Sequence, residues 1–147
     1  MSRSKSRSAA RLAAVQALYQ LEMEGTPMAQ LLHEFHAHRL GATIEDVTYA
    51  NAEVDFFNDV VKGAHARRDE IDGHISAKLS EGWTIDRLDR PMRQILRAGT
   101  YELLARKDLP AGVIINEYVD VADAFYAKRE KGFVNGILDS VATAVRG

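Results

Sequence analysis

Apolar residues recur at intervals of three and four through almost the whole chain, and no run alternates apolar with polar long enough to make a half-buried strand. This pattern restricts the fold to helices packed on helices. A first predicted helix covers about 8–24, with Ala14, Leu18 and Leu21 on one stripe, and is broken by Gly25-Thr26-Pro27. A second covers about 27–40, followed by a connector over 41–48. Asn51 is placed to cap a third helix whose apolar face is Val54, Phe57, Val61 and Ala64. Gly63 and the charged run Arg67-Arg68-Asp69-Glu70 predict a bend, with a fourth helix from about 67 to 79.

The turn Glu81-Gly82-Trp83-Thr84 follows, and its tryptophan is expected to plug the seam between two helical layers. Asp89 can cap the fifth helix, with Pro91 tolerated in the first turn and Met92, Ile95, Leu96, Gly99 and Leu103 tracing the buried face. Lys107-Asp108-Leu109-Pro110 ends it. The sixth helix uses Val113, Ile114, Tyr118, Val121, Ala122 and Phe125, and the seventh Val134, Ile137, Leu138 and Val141. The simplest assembly is an all-α single domain of about seven helices in two lobes. A flexible basic arm is expected over 1–8, an amino-terminal subdomain over about 9–66 and a carboxy-terminal one over about 67–147.

At 147 residues the chain can bury roughly 70% of its unfolded surface without disulfides or metal. It contains no cysteine, which excludes Cys-ligated zinc and fits a reducing cytoplasm. No run of eighteen apolar residues is present, so no membrane span is expected. The net charge of −2 hides an asymmetry: Arg3, Lys5, Arg7 and Arg11 precede the first acid, Glu22. The negative charge lies in the remainder, which points to a local anion site and not a general affinity for polyanions.

The residues do not assemble the parts of an enzyme. Of His33, His36 and His38 only the first two share a helix face, and no H-E-x-x-H or cysteine completes a zinc site. Gly132-Phe133-Val134-Asn135-Gly136 lacks the Lys-Ser/Thr ending of a nucleotide loop. Asp86 and Asp89, like Asp120 and Asp123, have a spacing common on any charged helix. No catalytic residue, metal or cofactor is expected.

Nucleic-acid binding has better ingredients: the cationic start, a second basic cluster at Lys128-Arg129-Glu130-Lys131, and Phe133 close behind it. Cations hold a strand by its phosphates, and an aromatic face stacks an unpaired base. Phe133 is expected in the first turn of the last helix, where unpaired backbone N–H groups also favour phosphate. For Phe133 and Tyr19 the residues alone leave two roles open, packing into the core or stacking.

Four segments, Ala14-Val15-Gln16-Ala17-Leu18-Tyr19, Leu96-Arg97-Ala98-Gly99-Thr100-Tyr101-Glu102-Leu103, Ile115-Asn116-Glu117 and Gly132-Phe133-Val134-Asn135-Gly136-Ile137-Leu138-Asp139, stand in the order and spacing of one family. The chain resembles the NusB family of bacterial RNA-binding transcription antitermination factors. The resemblance implies a seven-helix, two-subdomain fold that binds single-stranded boxA-type RNA together with the ribosomal protein NusE and joins the RNA polymerase antitermination complex on ribosomal RNA operons. It assigns RNA contacts to the basic start, here Arg3, Lys5, Arg7 and Arg11, and to Tyr19 and Phe133, to which the basic cluster read above adds Lys128, Arg129 and Lys131; it assigns protein contacts to Asp86, Arg90, Met92 and Arg93. It also implies a homodimer that buries the RNA face as an alternative state. The family's run of adjacent arginines is here the sparser Arg7-Ser8-Ala9-Ala10-Arg11, and the Lys128–Lys131 loop is more basic than usual. Two other readings stay open: a protein-binding helical scaffold, and a stand-alone relative of the RNA-binding domain of RNA cytosine methyltransferases.

Overall fold

The computed structural model describes residues 3–36 and 47–147, with side chains from Ser6 to His36 and from Val54 onward. Those residues form seven α-helices: α1 (Arg3–Glu24), α2 (Met28–Phe35), α3 (Val47–Ala66), α4 (Arg68–Ser76), α5 (Arg90–Ala105), α6 (Ala111–Asp123) and α7 (Lys128–Arg146). A single 3-10 turn, Ile85–Arg87, precedes α5, and no strand occurs among the described residues. The predicted end of the second helix, His38 and most of the 41–48 connector lie outside the described residues.

The packing is organised by α5, which touches α1, α3, α4, α6 and α7. Its residues from Gln94 to Leu103 are all buried, and fully burying each Ile or Leu contributes about 1.5–3 kcal/mol. On the other side of this axis, α1 offers Ala10, Ala13, Ala14 and Ala17, small enough for α3 and α5 to approach closely. Phe57, Val61 and Ala64 of α3 and Val134, Ile137, Leu138 and Val141 of α7 are buried as their periodicity predicts, Val60 joins them, and Val54 is only partly buried. At Gly25 the backbone turns left-handed (φ +65°) and ends α1, and Pro27 stands just before α2.

Several boundaries differ from the sequence reading. The first helix begins at Arg3, so Arg3–Ser8 is helix in place of a flexible arm, and Ser6 is buried against the body. The third begins at Val47, placing Asn51 inside it and not at its cap. The division between the third and fourth helices agrees with the sequence reading: α3, expected to end near His65, runs through Gly63 to Ala66, and Arg67 leaves helical geometry (φ −105°, ψ 21°) before α4. Trp83 does not plug a seam. It is 52% exposed, with the Arg87 guanidinium 5.1 Å from its ring centre, because the turn before α5 runs over the surface.

Polar ties hold the helix ends. Glu22 of α1 receives Arg93 at 2.7 Å and also Gln94, while Arg97 grips Asp72 of α4 through two bonds of 2.8 and 2.9 Å. Arg146, next to last in the chain, donates to the carbonyls of Leu103 (2.9 Å), Arg106 (2.9 Å) and Leu109 (2.6 Å). A helix leaves its last carbonyls without partners, and here a side chain from α7 supplies donors to the end of α5. Arg146→Ala is expected to cost about 2 kcal/mol, in the range of charge-assisted bonds. Urea denaturation checks this, and an unchanged midpoint would refute the capping role.

Candidate nucleic-acid interface

The predicted cations divide into buried and exposed groups. Arg11 is only 2% exposed: its guanidinium donates to Glu102 through Nε (2.9 Å) and Nη2 (3.0 Å), and Glu117 lies 3.6 Å away. Burial works against the charge, but Glu102 outweighs it and raises the Arg11 pKa. Tyr118 also donates to Glu102, and its own pKa is pushed well up, first by burial and then by the carboxylate. Arg11 is therefore a structural ion and does not contact phosphate, which corrects the sequence reading. Arg7, one turn earlier, is half-buried with its guanidinium 4.8 Å from the Phe56 ring centre, where Arg11 and Arg106 also gather. Arg3 and Lys5 lie in the opening turns of the same helix.

At the other cluster, Lys128, Arg129 and Lys131 occupy the first turn of α7. Arg129 extends into solvent with its side chain 95% exposed and touches only Glu130, at 3.4 Å. Lys131 is drawn back to Asp123 at 2.8 Å. Since α7 starts at Lys128, Phe133 lies in its second turn and not its first; the helix-start N–H groups belong to Lys128, Arg129 and Glu130, while that of Lys131 already donates to the Ala127 carbonyl. Phe133 is 37% exposed.

Two apolar grooves lie on the described surface, and the second reaches this turn through Arg129 and Glu130. The first, about 620 Å³, runs along the carboxy-terminal half of α1 and includes Val15, Tyr19, Met23, Pro91 and Phe125. Tyr19 is 38% and Phe125 39% exposed, so two aromatic rings are open to the same groove. The second, about 480 Å³, lies between the turn before α5 and the start of α7, with Leu79, Trp83, Leu88, Met92, Arg129 and Phe133 on its walls. Tyr19 and Phe133, paired in the sequence reading, thus face different grooves. The ridge between them is Phe125-Tyr126, whose ring centres are 6.2 Å apart.

The sequence reading missed Phe125 by continuing the core stripe of α6 through it. In fact α6 ends at Asp123, so Phe125 escapes that periodicity and turns outward. Among the expected protein contacts, Asp86 and Arg90 are exposed and Arg93 is tied to Glu22. Met92 is buried and contributes only to the floor of the second groove, because it lies on the core face of α5. Asp89 stands at the amino end of α5 but makes no cap bond.

Among the described residues no three potential ligands gather into a metal site, and no helix is long and apolar enough to cross a membrane. The described helices pack into one body that carries two grooves with exposed aromatic rings, the second of them reaching the cationic start of α7. The chain belongs to the NusB family, whose model matches residues 8–143. That family consists of RNA-binding, non-enzymatic transcription antitermination factors. The chain is 65% identical over 144 residues to the transcription antitermination protein NusB of Sphingopyxis alaskensis, covering 98% of this chain and 97% of the relative. It is 67% identical over 142 residues to that of Novosphingobium aromaticivorans, covering 97% and 96%. Among solved structures it superposes on T. maritima NusB with a TM-score of 0.77 at 33% identity, covering 97% of this chain and 92% of that one. It also superposes on a chain from a complex of the antitermination factors NusB and NusE with dsRNA, with a TM-score of 0.79 at 26% identity and coverage of 95% and 98%.

Proposed function

We propose that this protein is a cytoplasmic adaptor that binds single-stranded boxA-type RNA, docks ribosomal protein NusE, and joins the RNA polymerase antitermination complex to sustain transcription of ribosomal RNA operons. The observation that carries the RNA reading is the first groove, where the rings of Tyr19 and Phe125 stand exposed together, Phe125 lying in the turn that leads into the cationic start of α7. Stacking on those rings selects unpaired bases, and the start of α7 holds phosphates. The second groove, with Asp86 and Arg90 nearby, is assigned to NusE, and Phe133 marks its border with the RNA. Support for NusE and for RNA as partners comes from the relative crystallised with NusE and dsRNA, while the preference for a single strand rests on the exposed rings alone.

Fluorescence anisotropy with a labelled boxA RNA and a scrambled control, at two salt concentrations and with or without NusE, tests the reading. Specific binding that NusE tightens is expected. Tyr19→Ala and Phe125→Ala are each expected to weaken it by roughly 1–3 kcal/mol. Lys128→Glu with Arg129→Glu is expected to weaken it and to flatten its salt dependence. Equal, salt-labile binding of both RNAs with no NusE effect would instead leave a helical scaffold with a basic patch.

A further inference from the structure

We propose that Tyr126 and Asp89 form a positioning strut that holds the aromatic ridge between the two grooves in the geometry RNA requires. The proposal rests on the RNA-binding reading above and assigns it a pair of residues that touch no RNA themselves.

The Tyr126 hydroxyl donates to Asp89 Oδ1 at 2.7 Å, linking the α6–α7 turn to the amino end of α5 across 37 residues of sequence. Asp89 has the extended backbone of a helix cap (φ −66°, ψ 160°), yet its side chain makes no cap bond. An aspartate at this position ordinarily turns back onto its own helix; here it is turned toward the neighbouring turn. The same hydroxyl also meets the backbone of Met92 on α5, whereas the backbone N–H groups of Ala124, Phe125 and Tyr126 donate only locally, to the Val121 and Ala122 carbonyls at the end of α6. The Tyr126 ring in turn packs at 44° on Phe125, the exposed wall of the first groove. Burial and the Asp89 bond raise the hydroxyl's pKa above the usual tyrosine value, so the donor is present throughout the neutral range. The chain of contact therefore runs from Asp89 to Tyr126 to Phe125 to the groove.

Three variants separate this from a general structural role. Tyr126→Phe keeps the ring and loses the donor, Asp89→Ala loses the acceptor, and Asp89→Asn keeps an acceptor oxygen. Tyr126→Phe and Asp89→Ala are each expected to weaken boxA RNA binding about 3- to 10-fold, the range of one net hydrogen bond. The double variant is expected to bind no more weakly than either single one. Asp89→Asn should retain most of the affinity, and the salt dependence should match the parent protein because no phosphate contact is lost. Parent-like affinity in both single variants, or Asp89→Asn as weak as Asp89→Ala, would overturn the strut. Backbone ¹⁵N relaxation over 124–128 judges it without RNA: Tyr126→Phe should lower the order parameters there, and unchanged values overturn it. If the parent protein failed to prefer boxA over scrambled RNA, the RNA reading would fall, and with it the strut's assigned purpose, while relaxation would still decide whether the strut exists.

Discussion

Glu102→Ala is expected to destabilise the protein by about 3–5 kcal/mol, the cost of leaving a buried charge without its partner. Glu102 is fully buried and accepts two bonds from Arg11 and one from Tyr118. Its removal leaves the Arg11 guanidinium with Glu117 at 3.6 Å as its remaining acidic neighbour, and leaves the Tyr118 hydroxyl without this acceptor inside the core. At roughly 2–4 °C per kcal/mol for a chain of this size, the melting temperature followed by far-ultraviolet circular dichroism should fall by about 6–20 °C. A loss under about 1 kcal/mol would mean that Arg11 escapes to solvent. The same triad seats α1 against α5 and α6, and Tyr19 lies about two turns farther along α1, so RNA affinity should fall alongside stability.

Gly63→Ala is expected to cost about 3 kcal/mol, at the upper end for overpacking. A methyl group there would lie closer than 3.0 Å to two ring carbons of Tyr101 and to its hydroxyl oxygen, a separation that real side chains do not adopt. The ring cannot withdraw without loss. Its hydroxyl is anchored to Asp59 at 2.6 Å, and burial followed by that bond pushes its pKa up to about 12. Thermal unfolding of Gly63→Ala beside Gly73→Ala provides the control, because a methyl group at Gly73 would meet open space. Equal melting temperatures would show that α3 and α5 can separate freely at this point.

These two sites mark where sequence reasoning stopped. Periodicity identified the core faces of α5 and α7 because an apolar stripe reports its own burial. Arg11 carries no such local signal: its partner is 91 positions away, and only folding brings them together. Gly63 reads locally as a helix breaker, whereas its value lies in a ring from another helix. The opening of α1 was missed because Arg3–Ser8 offers no apolar residue to periodicity, although the helix continues through it. At the candidate interface, Tyr19 and the Lys128–Lys131 cluster were legible as types without a place. Phe125 was invisible because an aromatic in register with a buried stripe looks like core until the helix is seen to end two residues earlier.

The position of Trp83 has a consequence for optics. It is the chain's only tryptophan, and its indole is half open to water with Arg87 stacked beside it. Its emission is therefore expected to resemble that of a hydrated indole, so that unfolding shifts the spectrum little and a fluorescence melt under-reports loss of the fold. The same indole lines the second groove, so a blue shift on mixing with an unlabelled, tryptophan-free ligand specifically reports occupancy of that wall.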